Sequence, residues 1–264
     1  MQRTKMMPPE NVYGSRSRVK WAHDQIKPDS EVAEFGCGTG LMLAAPLRFL
    51  GVRITGWDIH TPSIEYGRLW LSQHGFNPQF LLARAFEEVP DGSLDVVIAS
   101  EVLEHLTNAE LPRVLGLLRS KLSHGGQLLI TVPNGYGWFE FDQWVFRVFI
   151  SPMDRHLRFF RAMNRVKSIV LGRGFEPPYQ STLADDVCPH VQWFSKRTII
   201  KTLEKSGFRV VSFAGSTLVS GPISNLFITG VPVLMAANLT AGRLFGRFSS
   251  GFRLVAILDE SSLK

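Results

Sequence analysis

The stretch that most constrains this chain is Val32-Ala33-Glu34-Phe35-Gly36-Cys37-Gly38-Thr39-Gly40. A short strand, Glu31 to Phe35, runs into three alternating glycines, and the apolar segment Leu41 to Leu50 reads as a helix. Glycine lets the backbone turn tightly and approach a ligand with no Cβ in the way. The helix that follows presents unpaired N–H groups to an anionic group such as a carboxylate or phosphate. The spacing is G-x-G-x-G with Leu at position 41, so the G-x-G-x-x-G fingerprint is absent.

A second strand, Val52 to Trp57, ends in Asp58. An acid at the tip of the second strand, about 20 residues past such a turn, suits hydrogen bonding to a ribose diol. Together with Glu34 at the end of the first strand, this pair of motifs resembles the class I S-adenosylmethionine-dependent methyltransferases. The likeness continues through Leu94–Leu106 and Gln127–Asn134 and so covers most of residues 30–135. It implies S-adenosylmethionine as cofactor, with Gly36 and Gly38 passing under its methionine part. Glu34 would hold the amino group, Asp58 the ribose hydroxyls and Ile59 the adenine face. The backbone N–H of Phe86 would serve the ring nitrogen, and Ser100 completes the expected cofactor set. One departure stands out in Arg84-Ala85-Phe86-Glu87-Glu88-Val89-Pro90: the family usually has an acid where this chain has Ala85.

The remaining elements alternate. Val12–Ile26 has an amphipathic pattern, which in the family closes over the cofactor and would bring Tyr13 and Arg16 near it. A helix Ser63–His74 follows the second strand, then a short strand Gln79–Ala83, a strand Leu94–Ser100, a helix Ala109–Leu122 ending at Gly125-Gly126, and a strand Leu128–Val132. A helix Lys196–Ser206 and a strand Phe208–Phe213 come late, and Phe252–Leu258 is the last strand. Strands alternating with helices predict an α/β fold with a doubly wound, mostly parallel sheet and ligands at the strands' carboxyl ends. The resemblance adds that the sheet has seven strands with the last one antiparallel. Residues 1–264 are expected to form a single methyltransferase domain. An aromatic and helical insertion at 135–189 would shape the substrate side, and 215–250 would be an apolar elaboration between the last two strands.

Strand four ends in Ser100-Glu101-Val102-Leu103-Glu104-His105-Leu106. If a helical turn begins at Glu101, then Glu101, Glu104 and His105 share one face, because i, i+3 and i+4 are neighbours. His190, just before the late helix, would be a fourth member. Two carboxylates and imidazole nitrogens make a divalent-cation site, and the residue types admit magnesium, manganese, zinc or iron. The turn resembles that of the ubiquinone-biosynthesis O-methyltransferases and the small-RNA 2′-O-methyltransferases, where it binds a cation that engages substrate hydroxyls. A Glu-His pair also serves for packing, capping or general-base catalysis without metal, and His105, with Glu101 and Glu104, makes up the expected catalytic set.

Composition bounds the partners. The net charge is +6, and Arg147, Arg155, Arg158, Arg161 and Arg165 are interleaved with Phe146, Phe149, Phe159 and Phe160. That mixture suits RNA, an anionic membrane surface or an acidic substrate, and equally a solvated helix face. Two cysteines without C-x-x-C spacing give neither a disulfide framework nor a zinc site, so a reducing, cytoplasmic setting is expected. Met1–Pro9 lacks the apolar core of a secretory signal. Leu226–Ala241 is apolar but interrupted by Gly230, Pro232 and Asn238 and shorter than the roughly 20 residues a spanning helix needs, which leaves peripheral membrane contact. The expected activity is O-methylation of a small-molecule or lipid-linked hydroxyl. RNA 2′-O-methylation is the alternative, weakened by the absence of a recognisable RNA-binding module. A non-catalytic cofactor-binding protein is the third reading.

Overall fold

The computed structural model describes residues 6–151, 162–163, 165–166 and 190–259. Its sheet has seven strands in the order β3-β2-β1-β4-β5-β7-β6. They are β1 (Glu31–Phe35), β2 (Arg53–Asp58), β3 (Leu81–Ala83), β4 (Leu94–Ser100), β5 (Leu122–Pro133), β6 (Phe208–Gly215) and β7 (Gly251–Leu258). The first five are parallel, and β7 runs antiparallel between β5 and β6. The chain crosses from β1 outward to β3 and then returns to β4, so the switch point lies between β1 and β4, where the crevice of a doubly wound sheet takes its ligand.

Alternation along β4 shows why the sheet is covered on both faces. Val96 and Ile98 pack on one side with Val32, Ile54 and Leu129, under helices α1 (Ser15–Gln25), α2 (Ala44–Phe49) and α3 (Thr61–Gln73). Val97 and Ala99 pack on the other with Leu128, Ile130 and Leu254, under α4 (Glu110–Lys121) and α6 (Lys196–Lys205). Between these two helices in chain order comes α5 (Trp138–Val145), which runs on into a π-helical turn, Phe146–Ile150. Each fully buried aliphatic side chain contributes about 1.5–3 kcal/mol relative to exposure, so the two cores supply most of the folding drive.

Several boundaries differ from the sequence expectation. Leu41–Leu43 belong to the glycine turn, and α2 starts only at Ala44, where Ala45 N–H donates to Gly40 O. The leading helix starts at Ser15 rather than Val12, and the third strand is shorter than Gln79–Ala83. Helix α4 stops at Lys121, and β5 begins immediately rather than after Gly125-Gly126. Leu122 pairs with Leu94 before a register shift that a glycine pair accommodates. The apolar stretch expected at 226–241 is two helices, α7 (Pro222–Ile228) and α8 (Pro232–Leu244), each opened by a proline at its first turn. Among the described residues, no helix is long and apolar enough to cross a membrane. The expectations for the basic segment beyond 151 lie outside the described residues, apart from 162–163 and 165–166.

The leading helix is pinned from below. Arg253 on β7 is buried, and its guanidinium donates to Ser17 O at 3.2 Å, Ser17 Oγ at 2.8 Å and Gly14 O at 3.4 Å. Burial pulls its pKa down to about 10, which leaves it cationic, and nearby Glu10 balances part of the charge.

Candidate active site

The glycine turn sits at the carboxyl end of β1. Gly36, Gly38 and Gly40 have φ of 67°, 56° and 68°, the left-handed region that glycine enters without steric cost. A Cβ on Gly36 would lie 2.8 Å from Val102 Cγ2, so the turn packs directly on the loop after β4. A Cβ on Gly38 would meet nothing within 4 Å, so the turn is open there. Asp58 at the tip of β2 holds the turn from the side. Its two oxygens accept from Gly38 N–H and from His60 N–H, each at 2.7 Å. Ile59 beside it is 81 % exposed.

Glu34 is buried beneath this turn. The Ala44 N–H, at the start of α2, donates to its carboxyl group, yet Oε2 has no hydrogen-bond partner among the described residues. Burial pushes its pKa up to about 8, against the pull of that N–H and of Arg18, with Asp58 adding to the rise. A buried carboxyl group with an orphaned oxygen fits an incoming ammonium group, which would supply both the missing donor and the compensating charge. Phe86 has its ring in the core, edge-on to Phe35 and Trp57, while its N–H opens a 3-10 turn after Ala85.

Ser100 ends β4 in a ring of polar contacts. Arg18 Nη1 donates to Ser100 Oγ at 3.2 Å, Thr131 donates to Glu101 Oε1 at 2.6 Å, and Ser100 Oγ therefore donates to Thr131 Oγ1 at 2.9 Å. Glu101 and Arg18 close the ring at 3.7 Å. Sequence reasoning missed Arg18. It had named Arg16, which is exposed, because the register of α1 could not be read to one residue. Tyr13 does reach the neighbourhood, its ring against Phe139, which in turn lies against His190.

The expected shared face of Glu101, Glu104 and His105 does not form. Glu101 has φ of 55° and leaves β4 in the left-handed region, and the 3-10 turn starts only at Leu103. Glu101 therefore turns toward Arg18 and Thr131. Glu104 and His105 instead meet His190: one ligand atom from each lies within 4.8 Å of the others. The two imidazole rings are 5.0 Å apart, edge to face.

Backbone hydrogen bonds bring the distant histidine in. Val191 N–H and Gln192 N–H both donate to Glu104 O, and Gly135 N–H donates to Phe194 O. Gln192 Nε2 donates to Leu106 O and Asn108 Oδ1. Glu140 on α5, also missed from sequence, lies 3.6 Å from His190 Nδ1. Glu104 is fully buried, and neither carboxylate oxygen has a hydrogen-bond partner among the described residues. Burial, aided by Glu101, raises its pKa well above the ordinary carboxylate value. Such a group is stable as the neutral acid, or as a carboxylate once a cation reaches it.

Comparisons with known proteins bear on the family and the fold. A family model described as a methyltransferase domain matches residues 15–213. The chain is 29% identical over 118 residues to ribosomal protein L11 methyltransferase of Neisseria gonorrhoeae, covering 44% of this chain and 37% of that protein. It is 34% identical over 99 residues to ubiquinone biosynthesis O-methyltransferase of Rickettsia prowazekii, covering 35% and 39%. The match thus spans well under half the length of these relatives. Among solved structures, a SAM-dependent methyltransferase from Aquifex aeolicus superimposes with a TM-score of 0.52 at 12% identity, over 97% of both chains. Magnesium protoporphyrin IX methyltransferase from Synechocystis, solved with bound SAH, gives 0.51 at 16% identity over 94% of this chain and 82% of that one. At these identities the structures speak for the fold alone, whereas the family model covers most of the chain. The chain belongs to the methyltransferase-domain family, and its fold is that of the solved SAM-dependent methyltransferases.

Proposed function

We propose that the enzyme methylates a hydroxyl oxygen of a small-molecule or lipid-linked acceptor. The observation behind this reading is the meeting of Glu104, His105 and His190 beyond the end of β4, beside the glycine turn. Displacement at a sulfonium methyl has a good leaving group built in, so the protein has mainly to orient the nucleophile and exclude water. A hydroxyl must also lose its proton, and a neutral imidazole can accept it. The aromatic wall of Tyr13 and Phe139 favours a flat or apolar acceptor next to that imidazole.

In this reading Glu34 takes the cofactor's ammonium group, Gly36 and Gly38 pass under its methionine part, and Asp58 accepts from the ribose hydroxyls. Ile59 covers adenine and the Phe86 N–H binds its ring. Arg18, held by Ser100 and Glu101, adds a cation at the mouth of the same crevice. Glu104, His105 and His190 also fit a divalent cation, because Glu104 is buried with no donor of its own among the described residues. Such an ion would lower the acceptor hydroxyl's pKa. Glu101 is left out of that set and acts by fixing Arg18.

The test is methyl transfer from labelled S-adenosylmethionine to matched phenol, alcohol and amine acceptors. His105→Ala and His190→Ala should each lower kcat by roughly a hundredfold or more on oxygen acceptors, with binding of S-adenosylhomocysteine retained. Transfer confined to amines, or full activity in both variants, would refute the reading. Loss of turnover on chelation, restored by magnesium or manganese, supports the cation; indifference to chelation assigns the proton to an imidazole alone.

A further inference from the structure

The far edge of the sheet carries charge that methyl transfer does not use. A cavity of about 380 Å³ opens beside the end of β6 and the turn that follows α8, lined by Lys196, Arg243 and Arg247 with Phe213, Phe245 and Phe248. Among the described residues, no acidic side chain lines it. None of the three cations takes part in an ion pair within the described residues. Lys196 Nζ stands 4.4 Å from the Phe213 ring centre, and the Arg247 guanidinium lies 4.5 Å over Phe248. Arg243 is close enough to buried Arg253 to help depress that residue's pKa, so positive potential accumulates here.

The apolar surroundings distinguish this cleft from a simple anion site. Leu244 is 75 % exposed, Phe245 56 % and Phe248 58 %, all next to the arginines. Exposed Leu and Phe contribute nothing to holding a soluble phosphate. Beside cations they match a bilayer interface, where apolar side chains enter the headgroup boundary and basic ones meet lipid phosphates. We propose that this cleft, with Lys196, Arg243 and Arg247 around Leu244, Phe245 and Phe248, docks the enzyme on an anionic lipid surface. The proposal does not depend on the identity of the methyl acceptor.

The topology adds a consequence. Strand β6 is antiparallel to β7, and β7 to β5, so β6 points the same way as the parallel strands. Its carboxyl end therefore lies on the same side of the sheet as the end of β4. The two ends are three strand spacings apart, about 14 Å. Docking through β6 would hold the active-site side of the sheet close to the membrane.

The experiment is co-sedimentation of the full chain with phosphatidylcholine vesicles, with and without phosphatidylglycerol. Binding should require phosphatidylglycerol and weaken with salt. The triple variant Lys196→Ala/Arg243→Ala/Arg247→Ala should lose about fivefold in partitioning per cation, roughly a hundredfold in all. Leu244→Ser/Phe248→Ser should also bind less, and its deficit should persist at high salt, where the charge contribution is screened. Both variants should bind S-adenosylhomocysteine as the wild type does, which reports an intact fold. Equal sedimentation with neutral vesicles, or wild-type binding by the triple variant, overturns the proposal. So does displacement by inorganic phosphate at fixed ionic strength, which would make this a soluble-anion site, or tighter binding of single-stranded RNA through the same three cations.

Discussion

Replacing Glu34 by Gln changes one buried group and almost no volume. In the ligand-free enzyme Glu34 has a pKa of about 8 against an ordinary 4.5, because burial outweighs the Ala44 N–H and Arg18, and Asp58 adds to the rise. The folded state therefore keeps a proton that the unfolded state releases, and stability must fall as pH rises from 4.5 to about 8 and then level off. The whole difference is at most about 5 kcal/mol. Between about pH 5.5 and about pH 8 the wild type should lose about 3 kcal/mol relative to Glu34→Gln, which has no proton to exchange. Urea unfolding of both ligand-free proteins at the two pH values measures this directly. Cofactor binding should move the other way. The Gln amide cannot balance an ammonium group, so the variant should bind S-adenosylhomocysteine more weakly than wild type. The deficit should widen about fivefold from about pH 7 to about pH 8, as less work is needed to ionise Glu34. An equal stability difference at both pH values would show that Glu34 is already ionised in the free enzyme, and the reasoning would fail.

Asp58→Ala removes the acceptor for two backbone N–H groups as well as the proposed ribose contact, so both thermal midpoint and cofactor affinity should drop, the latter at least tenfold. An unchanged midpoint in calorimetry would mean that the glycine turn holds without Asp58. Gly36→Ala forces a Cβ against Val102 at a left-handed φ and should cost about 1–2 kcal/mol or more in denaturant unfolding, with weaker cofactor binding; wild-type stability would refute the close packing. Arg18→Met frees Glu101 from its ion pair and should raise KM for the cofactor or acceptor while leaving folding stability within about 1 kcal/mol, since the pair is partly exposed. Leu115→Ala, in the middle of α4 and fully buried, should cost about 2–5 kcal/mol without altering cofactor affinity per folded molecule, and a smaller loss in urea melts would place Leu115 outside the core.

Much of this architecture was legible in the chain itself. Apolar runs of strand length, each closed by Gly, Pro or an acid, announced a parallel sheet, because strands covered on both faces cannot alternate with polar residues. Gly36, Gly38 and Gly40 announced a turn with left-handed backbone, and Asp58 announced its own position at the tip of the second strand. Local chemistry determined those features, so local reading sufficed. The partners of each side chain were decided by tertiary structure. The left-handed step at Glu101 depends on Thr131, 30 positions away, and it removes Glu101 from the face it would share with Glu104 and His105. The register of α1 depends on Arg253 beneath it, and that register selects Arg18 over Arg16. His190 reaches His105 because Val191 and Gln192 bond to the Glu104 carbonyl and the Gln192 side chain bonds to Leu106 O, 86 positions back in the chain. Periodicity reports which side of an element faces the core. Which distant groups meet there depends on where the sheet order and the crossing chain carry them.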